Sequence, residues 1–192
     1  MLVIVYSAAG RRSGWIGNVT LETFSDSIEV RDTLDAAQEL NMHEVTPNEK
    51  DAFFEEVAKA SAAAVWCALA TTNRKGQPRV RLVHPTWEGD VLWVATGPAT
   101  PKAKQLENNP WVDVQFQVAP PTFLHIMVRG RAEIFRDAAT KQHAWGVIDY
   151  DLKDFFSGGP EDPNYVAVKI VPTRVELSEM FGSTNKRVWR AD

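Results

Sequence analysis

Cysteine, histidine and surplus positive charge are what this chain has least of. It holds one cysteine and four histidines in 192 residues, and its net charge is −4. A single cysteine cannot form an intrachain disulfide, which fits a reducing compartment and predicts a cytoplasmic location. Cys67 sits inside the apolar run "AVWCALATT", where packing rather than nucleophilic chemistry is expected. His84 and His125 have no cysteine or acidic partner at ligand spacing, and His43 and His143 stand among polar residues, so no metal site is expected. Without a basic field, nucleic acid is excluded as a partner, and the seven tryptophans belong to the core and to interfaces rather than to base stacking. No segment approaches the ~20 apolar residues of a membrane span. The opening "MLVIVYSAAGRRSG" has no basic residue ahead of its apolar run, which makes it a weak secretory signal. Ser157 in "FFSGGP" has glycines on one side only and does not form a nucleophile elbow. "GSTNKR" lacks the spacing of a phosphate loop.

The negative charge is unevenly placed. Residues 1–41 carry three arginines against six acidic residues, whereas residues 42–192 are almost neutral. The first 41 residues also lack a clear period. They read as a poorly structured extension ahead of a domain spanning 42–192, and two origins fit them: a tail, or an early start codon.

From Thr46 the punctuation is clear. "TPNE" is a capping box with Thr46 as cap, Pro47 in the first helical position and Glu49 reaching back. A helix is predicted from about Pro47 to Ala63, with Phe53, Phe54, Val57 and Ala60 as its apolar stripe. "VWCALATT", the turn "NRKG" and "QPRVRLVHP" form a hairpin. On its second strand Val80 and Leu82 share one face, assigned to the interior, which leaves Arg79, Arg81 and Val83 outside. "WEGD" is a second tight turn and "VLWVATG" a third strand. A helix follows from Pro101 to Asn109. "WVDVQFQV" alternates strictly, with Val112, Val114, Phe116 and Val118 on one face. "FLHIMVRGRAEIF" is a long strand in which Gly130 marks a bend or close backbone approach. Asp137 caps a helix through about Ile148, and "YVAVKIV" and "RVELSEM" are two last strands joined by "PT". Seven strands with hairpin connections and a few inserted helices predict a mainly β, antiparallel barrel.

The segment "TGPATPKAKQLENNP", residues 96–110, places Lys102 and Lys104 at a helix start. Solvated lysines are one reading. The other is an anion site, since a helix start combining a hydroxyl, free backbone N–H groups and a lysine can hold a phosphate. Positive charge there opposes the helix macrodipole unless something negative is bound.

The stretch "ATTNRKGQPRVRLVHPTWEGDVLWVATGPATPKAKQLENNPWVDVQF" resembles the flavin-binding split β-barrels related to pyridoxamine 5′-phosphate oxidase. The matching positions are Gly76, Pro78 and Arg81, then Thr96, then Thr100, Lys102, Leu106, Asn109 and Pro110. "VRGRAEIFRD" and "FFSGGPEDPNYVAVKIVPTRVEL" extend the resemblance towards a general stress protein 26 branch, so that it covers about Val57 to Phe181. It implies an FMN-binding homodimer with the cofactor in a groove between subunits. Arg81 would reach the cofactor, the backbone at Leu82 and Val83 would line its ring, and Thr96, Thr100 and Lys102 would complete the site. Lys104 matches no family position and is expected in water.

His84 follows the cofactor strand and is either a ring contact or a structural residue; Gln115 and Gln117 either line the interface groove or face solvent. The resemblance implies a flavin-dependent oxidoreductase of a small molecule, its chemistry lodged in the cofactor, so no catalytic side chain is named. FAD, a deazaflavin coenzyme or haem in place of FMN are the alternatives, as is a non-catalytic flavin-binding stress protein. The terminal "FGSTNKRVWRAD" departs from the oxidases: only Trp189 and Arg190 echo the residues that hold pyridoxine phosphate there. Oxidation of pyridoxamine phosphate is not expected.

Overall fold

The computed structural model describes residues 42–64, 66–116 and 123–191. The predicted extension at 1–41 lies outside the described residues, as do Gln117 and Val118 at the end of the alternating segment. Among the described residues no helix is long and apolar enough to cross a membrane.

Nine strands and three α-helices make up the described chain. Strand β1 (Met42–Glu44) leads through a single 3₁₀ turn into helix α1 (Lys50–Ser61). The helix start is held as its sequence dictates, because the Thr46 N–H and hydroxyl both donate to the Glu49 carboxylate, at 2.9 and 2.7 Å. The apolar stripe then buries Phe53, Phe54 and Val57. Strands β2 (Cys67–Thr72) and β3 (Pro78–Val83) form the predicted hairpin. Its turn is fixed by the Asn73 side chain, which accepts the N–H groups of Lys75 and Gln77, and by Gly76 at φ +75°. Strands β4 (Thr86–Glu88) and β5 (Val91–Thr96) form a second hairpin. Helix α2 (Pro101–Asn108), strands β6 (Trp111–Phe116) and β7 (His125–Phe135), and helix α3 (Ala138–Val147) follow. Strands β8 (Val166–Glu179) and β9 (Thr184–Arg190) complete the chain.

The sheet runs β1-β9-β8-β7-β6-β2-β3, and β5 joins it on the first half of β8. All ladders are antiparallel except that of β1 with β9. Among the described residues no ladder joins β3 to β4 or β5, so the barrel stays split. Its core gathers Val57, Leu69, Val114, Val128, Ile170 and Val175, each at most 1% exposed. At roughly 1.5–3 kcal/mol per fully buried apolar side chain, this cluster is the main stabilising element. Cys67 belongs to the same cluster, and burial pushes its thiol up to about 12, which agrees with a packing role.

Two sequence readings require correction. "YVAVKIV" and "RVELSEM" are one strand: β8 runs through Pro172, whose partner in the ladder is Gly130. The register shifts between Arg129 and Gly130, and a Cβ at Gly130 would stand 2.5 Å from the Val171 carbonyl oxygen. A glycine facing a proline at an irregular register lets a long strand bend without ending.

The second correction concerns β3. Val80 and Leu82 are 67% and 68% exposed, whereas Val83 is buried. The ladder explains this, since Leu69 in the core pairs with Arg81 on one side and Val114 on the other. Arg81 therefore lies on the inward face. Val80 and Leu82 lie on the outward one, beside Ala70 and Ala68. The register, not the apolar pattern, sets the faces: Val80 and Leu82 are turned outward, and Val83 is the apolar side chain of β3 turned inward with Arg81.

Candidate functional site

Arg81, on the inward face of β3, meets helix α2 through Gln105. Its guanidinium donates to Thr71 Oγ1 at 2.7 Å and to Gln105 Oε1 at 2.9 Å. The Thr71 hydroxyl also donates to Gln105 Oε1, at 2.6 Å. Both acceptors are neutral, so the guanidinium is held in place without losing its charge to a carboxylate. Burial first, then the neighbouring Arg79 charge, lowers its pKa.

Helix α2 starts as its sequence predicts. The Thr100 hydroxyl donates to the Gly97 carbonyl at 2.8 Å and accepts the Ala103 N–H. The Lys104 N–H is bonded to the Thr100 carbonyl, and Pro101 has no N–H, so the first turn presents the N–H of Lys102. The first turn contains no acidic residue. Burial holds the Lys102 ammonium below the usual lysine range, and the Arg81 charge adds to that effect. Thr96, at the end of β5, is buried, with its hydroxyl 3.3 Å from that of Thr100.

The predicted residues thus fall into two connected sets, Arg81 with Lys102 and Thr96 with Thr100. Both cations are half-buried, Lys102 is near enough to Arg81 for that charge to be felt, and among the described residues neither enters an ion pair. Other cations do: Arg187 with Glu56, Arg190 with Glu44, Arg174 with Glu176. Leu82 and Val83 continue β3 beyond Arg81. Their side chains point to solvent and to the core respectively, so only their backbone is presented along the sheet edge, where every other residue turns its polar groups outward. Lys104 is exposed and lines a groove with Gln105.

Thr71 and Gln105, which hold Arg81, were not singled out from sequence. Gln105 is one helical turn beyond Lys102, so the two share a face of α2. Thr71 is the diagonal neighbour of Arg81 across the β2–β3 ladder. Both signals require the hairpin register.

Other candidates resolve into structure. His84 Nε2 lies 3.1 Å from Asp149 Oδ1, and its ring stacks on Tyr150 at 4.6 Å between centroids, which fits the structural alternative. Gln115 contacts His125 at 3.1 Å on the outward sheet face. Trp189 packs edge-on against Phe54, and Arg190 pairs with Glu44, so the C-terminal segment is committed to β9. In "FFSGGPEDP" the Asp162 carboxylate accepts the N–H groups of Gly158 and Asn164, and Phe156 packs on Tyr165. That motif shapes a loop. Among the described residues no cluster of His, Cys, Asp or Glu is arranged to hold a metal ion.

This geometry has counterparts of known family. General stress protein 26 of Bacillus subtilis (strain 168) is 31% identical over 112 residues, which are 57% of this chain and 76% of that protein. The crystal structure of the general stress protein 26 from Bacillus anthracis str. Sterne matches with a TM-score of 0.58 at 27% identity, over 72% of this chain and 98% of that one. A protein related to general stress protein 26 from Clostridium acetobutylicum shares the fold, with a TM-score of 0.61 at 20% identity over 74% and 96% of the two chains. The model of the pyridoxamine 5′-phosphate oxidase family matches residues 53–179, from within α1 to the last residue of β8, taking in Arg81 and the whole of α2. With the split sheet, these matches place the chain in the pyridoxamine 5′-phosphate oxidase family.

Proposed function

We propose that this protein binds FMN and works as a flavin-dependent oxidoreductase on a small molecule, as a homodimer. The observation that carries the reading is the Arg81–Lys102 pair: two half-buried cations without a counter-charge among the described residues, Arg81 fixed by neutral partners and Lys102 in the first turn of a threonine-capped helix. A phosphate dianion is the complement of that arrangement in charge and in hydrogen bonding. The Lys102 ammonium and backbone N–H hold the phosphate, and Arg81 adds a second charged donor. Thr96 and Thr100 supply hydroxyl groups beside it, and the edge backbone at Leu82 and Val83 carries the flat part of the cofactor. The flavin supplies two-electron or single-electron transfer; the protein positions it and limits its contact with water.

The outward face supports the homodimer. Leu82, Ala68, Gln115 and Met127 form one row across four strands, and Val80, Ala70, Asp113 and Arg129 form the next. Only the edge half of these rows is apolar, Leu82, Ala68, Val80 and Ala70, and such a strip at an open sheet edge is suited to a second copy, related by a two-fold axis.

Fluorescence and absorbance of material released by heat from the full chain test the cofactor, and light scattering tests the assembly. An FMN spectrum in a dimer is the expected result; a monomer that holds FMN tightly, or a preparation that takes up no flavin, would overturn the reading. Leu82→Asp, which puts a charge in the strip, should shift the dimer to monomer and release flavin.

A further inference from the structure

The outward face of the sheet is raised at one end and hollow at the other. After β8 the turn Met180–Gly182 folds back over the face: a Cβ at Gly182 would stand 3.2 Å from His125 Nδ1 and 3.7 Å from Glu176 Oε1. The turn holds out Met180 and Phe181, 49% and 66% exposed, and the Phe181 ring rests on that of Phe123 with 4.9 Å between centroids. Phe123, Met180 and Phe181 all have positive φ, at +48°, +48° and +59°. A bulky side chain is a steric outlier in that region, and Met180 and Phe181 gain little burial in return. Strain of this kind gathers where a segment is held ready for a partner.

At the other end, Leu82 pairs with Ala68 and Ala68 with Gln115, while Val80 pairs with Ala70 and Ala70 with Asp113. The two alanines form a trough along β2, and the exposed Leu82 and Val80 are its outer wall. Between trough and tip the face is polar, with Gln115 against His125 and Asp113 paired with Arg129. Trough and tip lie two to three strand spacings apart, about 12 Å.

We propose that the Met180–Phe181 tip of each protomer seats in the Ala68–Ala70 trough of its partner. The proposal rests on the homodimer reading and fixes how the two faces meet. Across a two-fold axis each patch either meets its own copy or exchanges with a second patch. Two raised tips that met would hold the faces apart over the alanines. Exchange puts a knob over a hollow twice and sets one polar middle against the other. It also buries the apolar surface that each chain leaves exposed. Leu82 belongs both to the trough wall and to the edge assigned to the cofactor, so the seated tip borders the partner's cofactor groove.

Sedimentation velocity on the full chain tests this with Leu82→Asp, Phe181→Lys and the two combined in one chain. Both side chains are exposed, so circular dichroism should show the fold retained. Either single variant should weaken the dimer by about 100-fold or more, because each change enters the interface twice. An equimolar mixture of the two single variants should dimerise at least about tenfold more tightly than either alone. One contact in the mixed dimer is then unmodified, and the other sets a carboxylate against an ammonium. The combined variant should dimerise by the same pairing, more weakly as salt is added. Phe181→Gly, which suits φ +59°, covers the case in which lysine disturbs the turn, and it too should dissociate the dimer. A mixture and a combined variant that both stay monomeric would overturn the exchange and leave the homodimer standing. Unchanged dimers in Phe181→Lys and Phe181→Gly would overturn it as well. An unmodified protein that is monomeric would overturn the homodimer reading itself.

Discussion

Two charge clusters on the same sheet are built in opposite ways. Glu176 on β8 is buried, and its carboxylate is matched by Arg174 at 2.7 Å and Lys186 at 3.3 Å, with Ser178 donating to it at 3.4 Å. Burial by itself would raise the Glu176 carboxyl, but the Arg174 bond and the Lys186 charge together outweigh it and hold the group below its ordinary value. The Arg81–Lys102 cluster has two cations and neutral acceptors only. A buried charge without a counter-charge is costly, whereas a matched and hydrogen-bonded one is tolerated. The first cluster is complete within the chain. The second has no counter-charge among the described residues, and in the proposed reading a bound phosphate completes it; this difference is what separates a structural ion pair from a candidate binding site more sharply than burial or residue type.

The comparison breaks most visibly if the complete cluster is made incomplete. Glu176→Gln removes the counter-charge of two cations and should cost about 2–3 kcal/mol of folding stability at neutral pH, measured by urea unfolding. The pH dependence has a definite sign. A carboxyl lowered in the folded state contributes stability that is fully present above its ordinary value of 4.5 and is lost as pH falls through the folded value. The unmodified protein should therefore lose stability on acidification more steeply than Glu176→Gln does. Equal acid limbs would mean that the cluster contributes nothing to folding.

The incomplete cluster should respond to ligand instead. Lys102→Ala should weaken FMN by about 10- to 150-fold, the equivalent of one charge-assisted bond of ~1.5–3 kcal/mol. The loss should shrink with added salt and be smaller for riboflavin, which has no phosphate. Arg81→Ala should weaken FMN as well, and riboflavin too if the guanidinium reaches the ring. Lys104→Ala should change FMN affinity far less. Equal effects of Lys102→Ala and Lys104→Ala would return both lysines to a solvated helix end.

Much of this fold is legible where the signals are local. The Thr46 and Asp137 caps, the Asn73–Gly76 turn, the alternation of β6 and the start of α2 at Thr100 each rest on a few consecutive residues, and the structure reproduces them. The unread elements are long-range ones. Strands β1 and β4 have three residues each, too short for a period, and β9 is defined by its pairing with β8 and β1. The continuity of β8 through Pro172 depends on Gly130, forty-two positions earlier, being its partner. The inverted face of β3 has a different origin. Hydrophobic patterning assigns apolar residues to the interior, and it fails at Val80 and Leu82, which the ladder sets on the outward face beside Ala70 and Ala68. The same inversion puts Arg81 inside, next to Lys102, where the sequence alone placed it outside. The sequence reading of Arg81 was therefore wrong about its face, and the residues that hold its guanidinium, Thr71 and Gln105, needed the register.

The smallest effect is the most discriminating, because its sign should reverse. In the protein without phosphate, the Lys102 ammonium is partly buried beside Arg81 and has no counter-charge. Lys102→Met keeps the length and apolar contacts of the side chain but removes the charge, so it should raise folding stability, by about 0.5 kcal/mol. A lysine lowered in the folded state leaves the unfolded chain holding more protons between the folded value and the ordinary 10.5, so stability of the unmodified protein rises with pH there. The advantage of Lys102→Met should accordingly be full at neutral pH and fade as pH rises through the folded value towards 10.5. Saturating FMN should reverse the order of the two proteins, since a ligand stabilises the folded state in proportion to its affinity and the lysine then has its partner. Thermal unfolding of both proteins with and without FMN measures all four states. A lysine that only decorates a helix end would show neither the gain on removal nor the reversal on binding.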